Sequence, residues 1–262
     1  MKTVRIRLLA FVMCLSITFI YAQENEEKEE KRFQMYEVHE DQVKPSMVAQ
    51  YEKTAKLFAD KMREHNIADG YNLATNTDNF RYLYVSPIEN LQGVGQNSGM
   101  SELFEKMGAD SFGEMMDGFN ACYDRHGSYV ILLDKKLSYM PGGITQTPEG
   151  ENYRKFFYIY YSPQNGAAMR DAMSDVKAMF ESKKSTSDYR VYRSGFGNMD
   201  SYYMVAVAAK DPIEMEQNGA ANDKLLGADA QVVFGKVLSL ALSMEEYTGY
   251  IRPELGYTPK KQ

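Results

Sequence analysis

The feature that most constrains how this chain can fold is an element order that occurs twice. Asp134-Lys-Lys-Leu-Ser-Tyr-Met-Pro141 resembles Arg252-Pro-Glu-Leu-Gly-Tyr-Thr-Pro259, matching Leu137, Tyr139 and Pro141 with Leu255, Tyr257 and Pro259 at an offset of 118. The same offset joins Tyr71 to Tyr189. Met47 and Phe58 match Met169 and Phe180 at 122, and Pro87-Ile88-Glu89 matches Pro212-Ile213-Glu214 at 125. Matched blocks in constant order at a long period mark a repeated unit. The units are residues 32–145 and 151–262.

Each unit reads strand, helix, strand, strand, helix, strand. In the first, Phe33 to Glu40 is a strand and Pro45 opens a helix, where its missing N–H costs nothing. Met47, Tyr51, Ala55, Phe58 and Met62 then fall on one helix face. Tyr71 to Thr75 and Phe80 to Val85 are strands around the turn Asn76-Thr77-Asp78-Asn79. In the second unit the strand Phe156 to Tyr161 precedes a helix stripe of Met169, Met173, Val176 and Phe180. Asp188 to Arg193 and Tyr202 to Ala208 are the middle strands. Second helices are expected near 112–123 and 228–243, and closing strands near 129–134 and 247–252.

That order is the split βαβ, or ferredoxin-like, unit. Its two helices cover one face of its sheet and leave the other bare. Phe156 to Tyr161 and Tyr202 to Val205 are bulky on both faces, as strands covered on both sides are. The expected fold class is therefore α+β: two tandem βαββαβ units packed sheet to sheet as an intramolecular pseudo-dimeric barrel. With Met35-Tyr36-Glu37-Val38, then Val43-Lys44-Pro45-Ser46-Met47 leading into Tyr51-Glu52, then Tyr82-Leu83-Tyr84, the chain resembles the dimeric α/β-barrel superfamily. NIPSNAP-like and antibiotic-biosynthesis-monooxygenase-like proteins belong to it, and the resemblance is to a tandem fusion of such units. It implies a space between sheets and helices that holds a small molecule or haem, and in some members catalysis without a cofactor. Fold membership does not decide function.

The first 22 residues read as an export signal. Lys2, Arg5 and Arg7 precede an apolar run from Leu8 to Ile20, too short to span a bilayer as a helix, and Tyr21-Ala22 offers the cut. Cleavage after Ala22 would place the mature protein in the periplasm or outside the cell. Residues 23–31 are an acidic tether with nothing to bury. With the signal gone, 27 basic residues face 36 acidic ones, a net charge of −9. That argues against a nucleic acid partner, and against adsorption or insertion at a membrane once the signal is cut. Cys122 is then the single cysteine and reads as a buried thiol, with His126 one turn away as the cation a reactive thiol would need.

Candidate chemistry is sparse. His65 lies in a polar helix tail, and His126 starts the loop before a strand. His39 closes the first strand on one face with Phe33, Met35 and Glu37; it reads as a strand-end histidine, a proton shuttle or an axial haem ligand. The spacing offers no histidine pair and no Cys-x-x-Cys, so no metal set is expected, and no cofactor beyond the haem option. No Gly-x-Ser-x-Gly elbow occurs. The strands carry many of the 20 tyrosines, and rows of them on facing sheets suit either a packed core or a mildly polar cavity. The candidate ligand-binding set is Tyr36, His39, Arg81, Tyr82, Tyr84, Tyr158, Tyr160, Arg190 and Tyr203, with no catalytic residue assigned. The expected role is exported small-molecule binding or a structural one. The rivals are a cofactor-independent oxygenase or isomerase using His39 and tyrosines, a haem-binding version, and an acidic protein-interaction module. The enzyme reading requires an enclosed pocket holding His39 or a buried carboxylate; a barrel filled with tyrosine rings would sink it.

Overall fold

A computed structural model describes residues 32–96 and 98–260. The export signal and the tether lie outside the described residues. Among the described residues, eight antiparallel strands close into one barrel, and six α-helices lie on its outside. The strands are β1 Phe33–Val43, β2 Leu73–Thr77, β3 Arg81–Ile88, β4 Tyr123–Asp134, β5 Tyr153–Tyr161, β6 Tyr189–Ser194, β7 Tyr202–Ala209 and β8 Ala241–Ile251. The helices are α1 Val48–Glu64, α2 Ser98–Met107, α3 Ala109–Asn120, α4 Gly166–Lys183, α5 Pro212–Leu226 and α6 Ala228–Leu240.

Around the barrel the order is β1, β3, β2, β8, β5, β7, β6, β4. Each half contributes four neighbouring strands, β4-β1-β3-β2 and β8-β5-β7-β6, in the same relative order. The two open edges of each half are sealed by the other, β2 on β8 and β4 on β6. The tails seal it further by crossing over. Tyr139, after β4, bridges to Tyr189 and donates its hydroxyl to the Ser185 carbonyl of the second half at 2.8 Å. Tyr257, after β8, bridges to Asn72 and bonds the Ile67 carbonyl of the first half at 2.5 Å. The Leu-x-Tyr-x-Pro repeat is thus a reciprocal clasp, which explains why both copies bury their Leu and Tyr.

Strand pairing fixes the true register of the repeat. His39 faces Ser128 across β1 and β4, as Phe157 faces Glu246 across β5 and β8, an offset of 118 for both strands. The 3-10 turns Pro45–Met47 and Pro163–Asn165 that open the first helices keep the same offset. Met47 and Phe58 therefore correspond to Asn165 and Val176; the expected match to Met169 and Phe180 is one helical turn out. The Pro87 match fails as well, because Pro87 lies within β3 whereas Pro212 opens α5. There Asp211 caps the helix, its side chain accepting from the Glu214 N–H at 2.9 Å. Two helices, α2 and α5, were absent from the sequence expectation, and the Asp211-Pro212-x-Glu214 start is the sign that marks α5. β4 and β8 begin six residues before the expected 129 and 247.

Candidate functional site

Alternation along the strands divides side chains between the barrel interior and the helix-covered outside. Of the nine candidate residues, Tyr36, Arg81, Tyr158, Tyr160 and Arg190 point inward, and His39, Tyr82, Tyr84 and Tyr203 point outward. The expectation of one site is thereby corrected: the set is split among the barrel interior, the first half's outer layer and the second half's outer core.

The interior is a packed core. Val38, Leu83, Ile131, Phe156, Tyr158, Tyr192, Tyr202 and Met204 fill it and leave a void of about 60 Å³. Arg81 makes two bonds to the Glu40 carboxylate, at 2.7 and 2.5 Å, and Tyr129 donates to the same carboxylate at 2.9 Å. Arg190 and Arg154 are buried and donate to backbone carbonyls, Arg190 to Thr145 and Ala206, Arg154 to Glu151, Tyr153 and Gln146. Burial, and then the neighbouring Arg190, lowers the Arg154 pKa to about 10. No tyrosine-lined cavity of ligand size lies between the facing sheets, because side chains of the two halves meet inside the barrel, Tyr36 edge-on to Tyr192 and the Arg81 guanidinium over the Tyr158 ring.

The cavity lies outside, between β1 and β3 of the first half and its helices α1, α2 and α3, with a volume of about 550 Å³. Ala55, Phe58 and Met62 of α1 and Met116 and Phe119 of α3 give it an apolar roof. The floor is polar: Glu37, His39 and Asp41 of β1, Tyr84 of β3 and Ser128 of β4. The residues of the second half corresponding to His39, Asp41, Tyr51, His126 and Ser128 are Phe157, Ile159, Met169, Met244 and Glu246. Four of these five polar positions are thus apolar there. Ile159, Tyr161, Met169, Met173 and Tyr203 close the equivalent space as a core. The open cavity belongs to the less aromatic half.

Its polar end is built on two adjacent strands. His39 and Asp41 lie two apart on β1, opposite Ser128 and His126 of β4. His39 Nδ1 is 3.2 Å from Ser128 Oγ, and its Nε2 is 3.2 Å from Asp41 Oδ1. That is an ion-pair distance, but its angle leaves the buried Oδ1 without a hydrogen bond. The other oxygen, Oδ2, accepts from the Tyr51 hydroxyl at 2.6 Å, and Tyr51 Oη lies 3.0 Å from Tyr84 Oη. Asp41 raises the His39 pKa, against the effect of burial. Burial pushes the Tyr51 and Tyr84 hydroxyls well above the ordinary tyrosine range. His126 is within β4 rather than in a loop, which corrects the expectation; it is exposed, its ring tilted against that of Tyr123 with centroids 5.0 Å apart. The ligand atoms of His39, Asp41 and His126 all lie within 4.8 Å of one another.

Sequence reasoning named His39 and Tyr84 but missed Asp41, Ser128 and the partnership with His126. The signal lay in the two i, i+2 pairs His39-x-Asp41 and His126-x-Ser128, each on one strand face; their pairing is a tertiary fact. Tyr82, by contrast, packs on Tyr51 and donates to Glu52 at 2.6 Å, away from the cavity. Cys122 is buried with its thiol directed at the Gly118 carbonyl, and burial raises its pKa, as an inert thiol requires.

No family model matches the sequence, and neither does any curated protein. Solved structures do. An anthrone oxidase-like protein superposes with a TM-score of 0.53 at 11% identity, covering 84% of this chain and 91% of that one. A protein described as a candidate monooxygenase from Fusobacterium nucleatum gives 0.51 at 10% identity, covering 87% and 98%. A chlorite dismutase variant from Candidatus Nitrospira defluvii gives 0.47 at 11% identity, covering 84% and 92%. The fold is that of the dimeric α/β barrels. At these identities the likeness speaks for the fold alone, and what this dimeric α/β barrel does must be argued from its own cavity.

Haem can be tested against that cavity. His39 Nε2 aims at Asp41, whose carboxylate would stand against the porphyrin plane of an iron placed over that nitrogen. The lining includes Glu37, Asp41 and Asp69 and, among the described residues, no Lys or Arg to meet two propionates. The residues present do not fit haem. They fit an uncharged or cationic, largely apolar molecule.

Proposed function

We propose that the chain is a small-molecule enzyme of the oxygenase type, acting on a flat, largely apolar organic molecule held in the cavity of its first half. The observation that carries this is the asymmetry between halves. The equivalent space in the second half is closed by apolar side chains, while the first keeps about 550 Å³ open beside His39, Asp41 and Tyr84. A purely structural role gives no reason for a buried carboxylate at the wall of an open cavity, since burying charge costs free energy. The neighbours described as anthrone oxidase-like and as a candidate monooxygenase support an aromatic ketone and oxygen as the chemistry to try first. Export is part of the same proposal, supported by the N-terminal pattern of residues 1–22. So is the finer descent, a tandem fusion of NIPSNAP-like or antibiotic-biosynthesis-monooxygenase-like units, supported by the shared strand order.

The test is a titration with anthrone, followed by tyrosine fluorescence, and oxygen uptake measured on the same samples. Wild type should bind saturably and consume oxygen. Ala55→Leu, which adds three carbons to the roof, should weaken binding about tenfold or more, since overpacking costs about 1–3 kcal/mol and each 1.4 kcal/mol is tenfold. His39→Ala should bind but lose uptake. Binding that is equally strong in Ala55→Leu would refute this location. Binding without oxygen uptake in wild type would reduce the protein to a binder.

A further inference from the structure

The geometry points to a binding site for one divalent first-row transition-metal ion, held by His39, Asp41 and His126 at the polar end of the cavity. Two histidines and one carboxylate form a facial set that leaves coordination positions open, and this donor combination selects Zn²⁺, Fe²⁺ or Co²⁺ over Mg²⁺ or Ca²⁺. Four observations carry the assignment. The three ligand atoms lie within 4.8 Å of one another, and His39 Nε2 and Asp41 Oδ1 are already 3.2 Å apart. Donors about 2.1 Å from one ion stand roughly 3 Å apart, so only the His126 ring has to turn inward. It is exposed and can do so.

Second, Asp41 is only 4% exposed and its Oδ1 has no hydrogen bond. A buried carboxylate oxygen without a donor is costly, and a cation removes the cost. Third, the outer partners that metal ligands use are in place. Ser128 Oγ sits at 3.2 Å from His39 Nδ1, where it can accept that N–H and leave Nε2 as the lone-pair donor; Tyr51 holds Asp41 Oδ2 at 2.6 Å. Fourth, the Asp41 carboxylate meets no Lys or Arg on the cavity lining among the described residues. The set is also specific to this half: Phe157, Ile159 and Met244 replace all three ligands in the other. This inference deepens the reading of the cavity as an oxygenase site, by placing an ion where it would face the bound molecule. Binding of the ion itself needs no organic ligand, so the two readings fail separately.

The experiment is a Co²⁺ titration of the tag-free, chelator-stripped chain, followed by visible d–d absorption and competed with Zn²⁺. The expected result is saturable binding of one ion per chain that Zn²⁺ displaces. His126→Ala, an exposed change that should leave the circular dichroism spectrum and melting curve intact, should raise the Co²⁺ dissociation constant about 100-fold or more. That exceeds the 10- to 100-fold cost of losing an outer partner. Tyr51→Phe should fall within that outer-partner range, and His65→Ala should match wild type. Absence of saturable absorption, or equal affinity in folded His126→Ala, would overturn the assignment.

Discussion

Two tyrosines buried to the same degree should respond in opposite ways to loss of a single oxygen. Tyr51 is 0% exposed and Tyr189 4% exposed, and both rings sit in packed clusters. The Tyr51 hydroxyl donates to Asp41 Oδ2 at 2.6 Å and stands 3.0 Å from Tyr84 Oη. The Tyr189 hydroxyl is buried with no partner. Tyr51→Phe keeps the ring against Tyr82 and Phe119 but strips Asp41 of its one hydrogen-bond donor. Bonds to a charged group contribute about 1.5–3 kcal/mol, and with His39 Nε2 still 3.2 Å from the other Asp41 oxygen the loss should fall within that range. With a urea slope of about 2–3 kcal/mol/M, the midpoint should fall by roughly 1 M. Tyr189→Phe removes a hydroxyl that was desolvated for nothing, so its midpoint should stay or rise. The assay is urea unfolding of metal-free wild type and both variants, with slopes compared to check that the denatured states match. Equal losses, or a larger loss for Tyr189→Phe, would refute the assignment of these hydroxyls.

Arg252 holds the Glu52 carboxyl below its ordinary value of 4.5, with help from Tyr82 and against the effect of burial. A depressed carboxylate contributes stability above its unfolded pKa and loses it as pH falls through the folded one. Glu52→Gln should therefore be less stable than wild type at pH 7, the gap closing below about pH 4 in acid titrations followed by circular dichroism. Gly249 sits on the β2–β8 seam, where an added Cβ would overlap the Asn76 carbonyl. Gly249→Ala should cost about 3 kcal/mol or more, or prevent folding, whereas Gly235→Ala on α6, with open space around it, should be neutral or stabilising in the same melting assay. Cys122 should react with a thiol reagent only at the rate of unfolding, which rapid labelling in native buffer against denaturant would show.

Strand and helix periodicity are local properties, and the sequence by itself determined much here: the order of the eight strands and four of the six helices, their repetition, the grouping of Glu37 and His39 on one face of β1, and Pro45 as a helix opener. The Leu-x-Tyr-x-Pro echo was legible as well, because both copies meet the same structural need. What the echo does was not, since each clasp grips the opposite half across the barrel and no window of sequence contains both partners. The site divided in the same way. His39 stood out as one of three histidines, and Tyr84 as one strand tyrosine among many. Asp41 carried no sequence signal of its own before α1 brought Tyr51 over it, and His126 looked like loop until β4 ran on past it to Tyr123. The tyrosine rows were read correctly as two-sided, but which side stays open is a matter of volume. Eight strands close tightly enough for rings to fill the interior, and the helices pack down on the second half but leave a gap over part of β1 and β3 in the first. That balance is set by Phe157, Ile159 and Met169 against His39, Asp41 and Tyr51, a comparison that acquires meaning only once strand pairing has fixed the register between the halves.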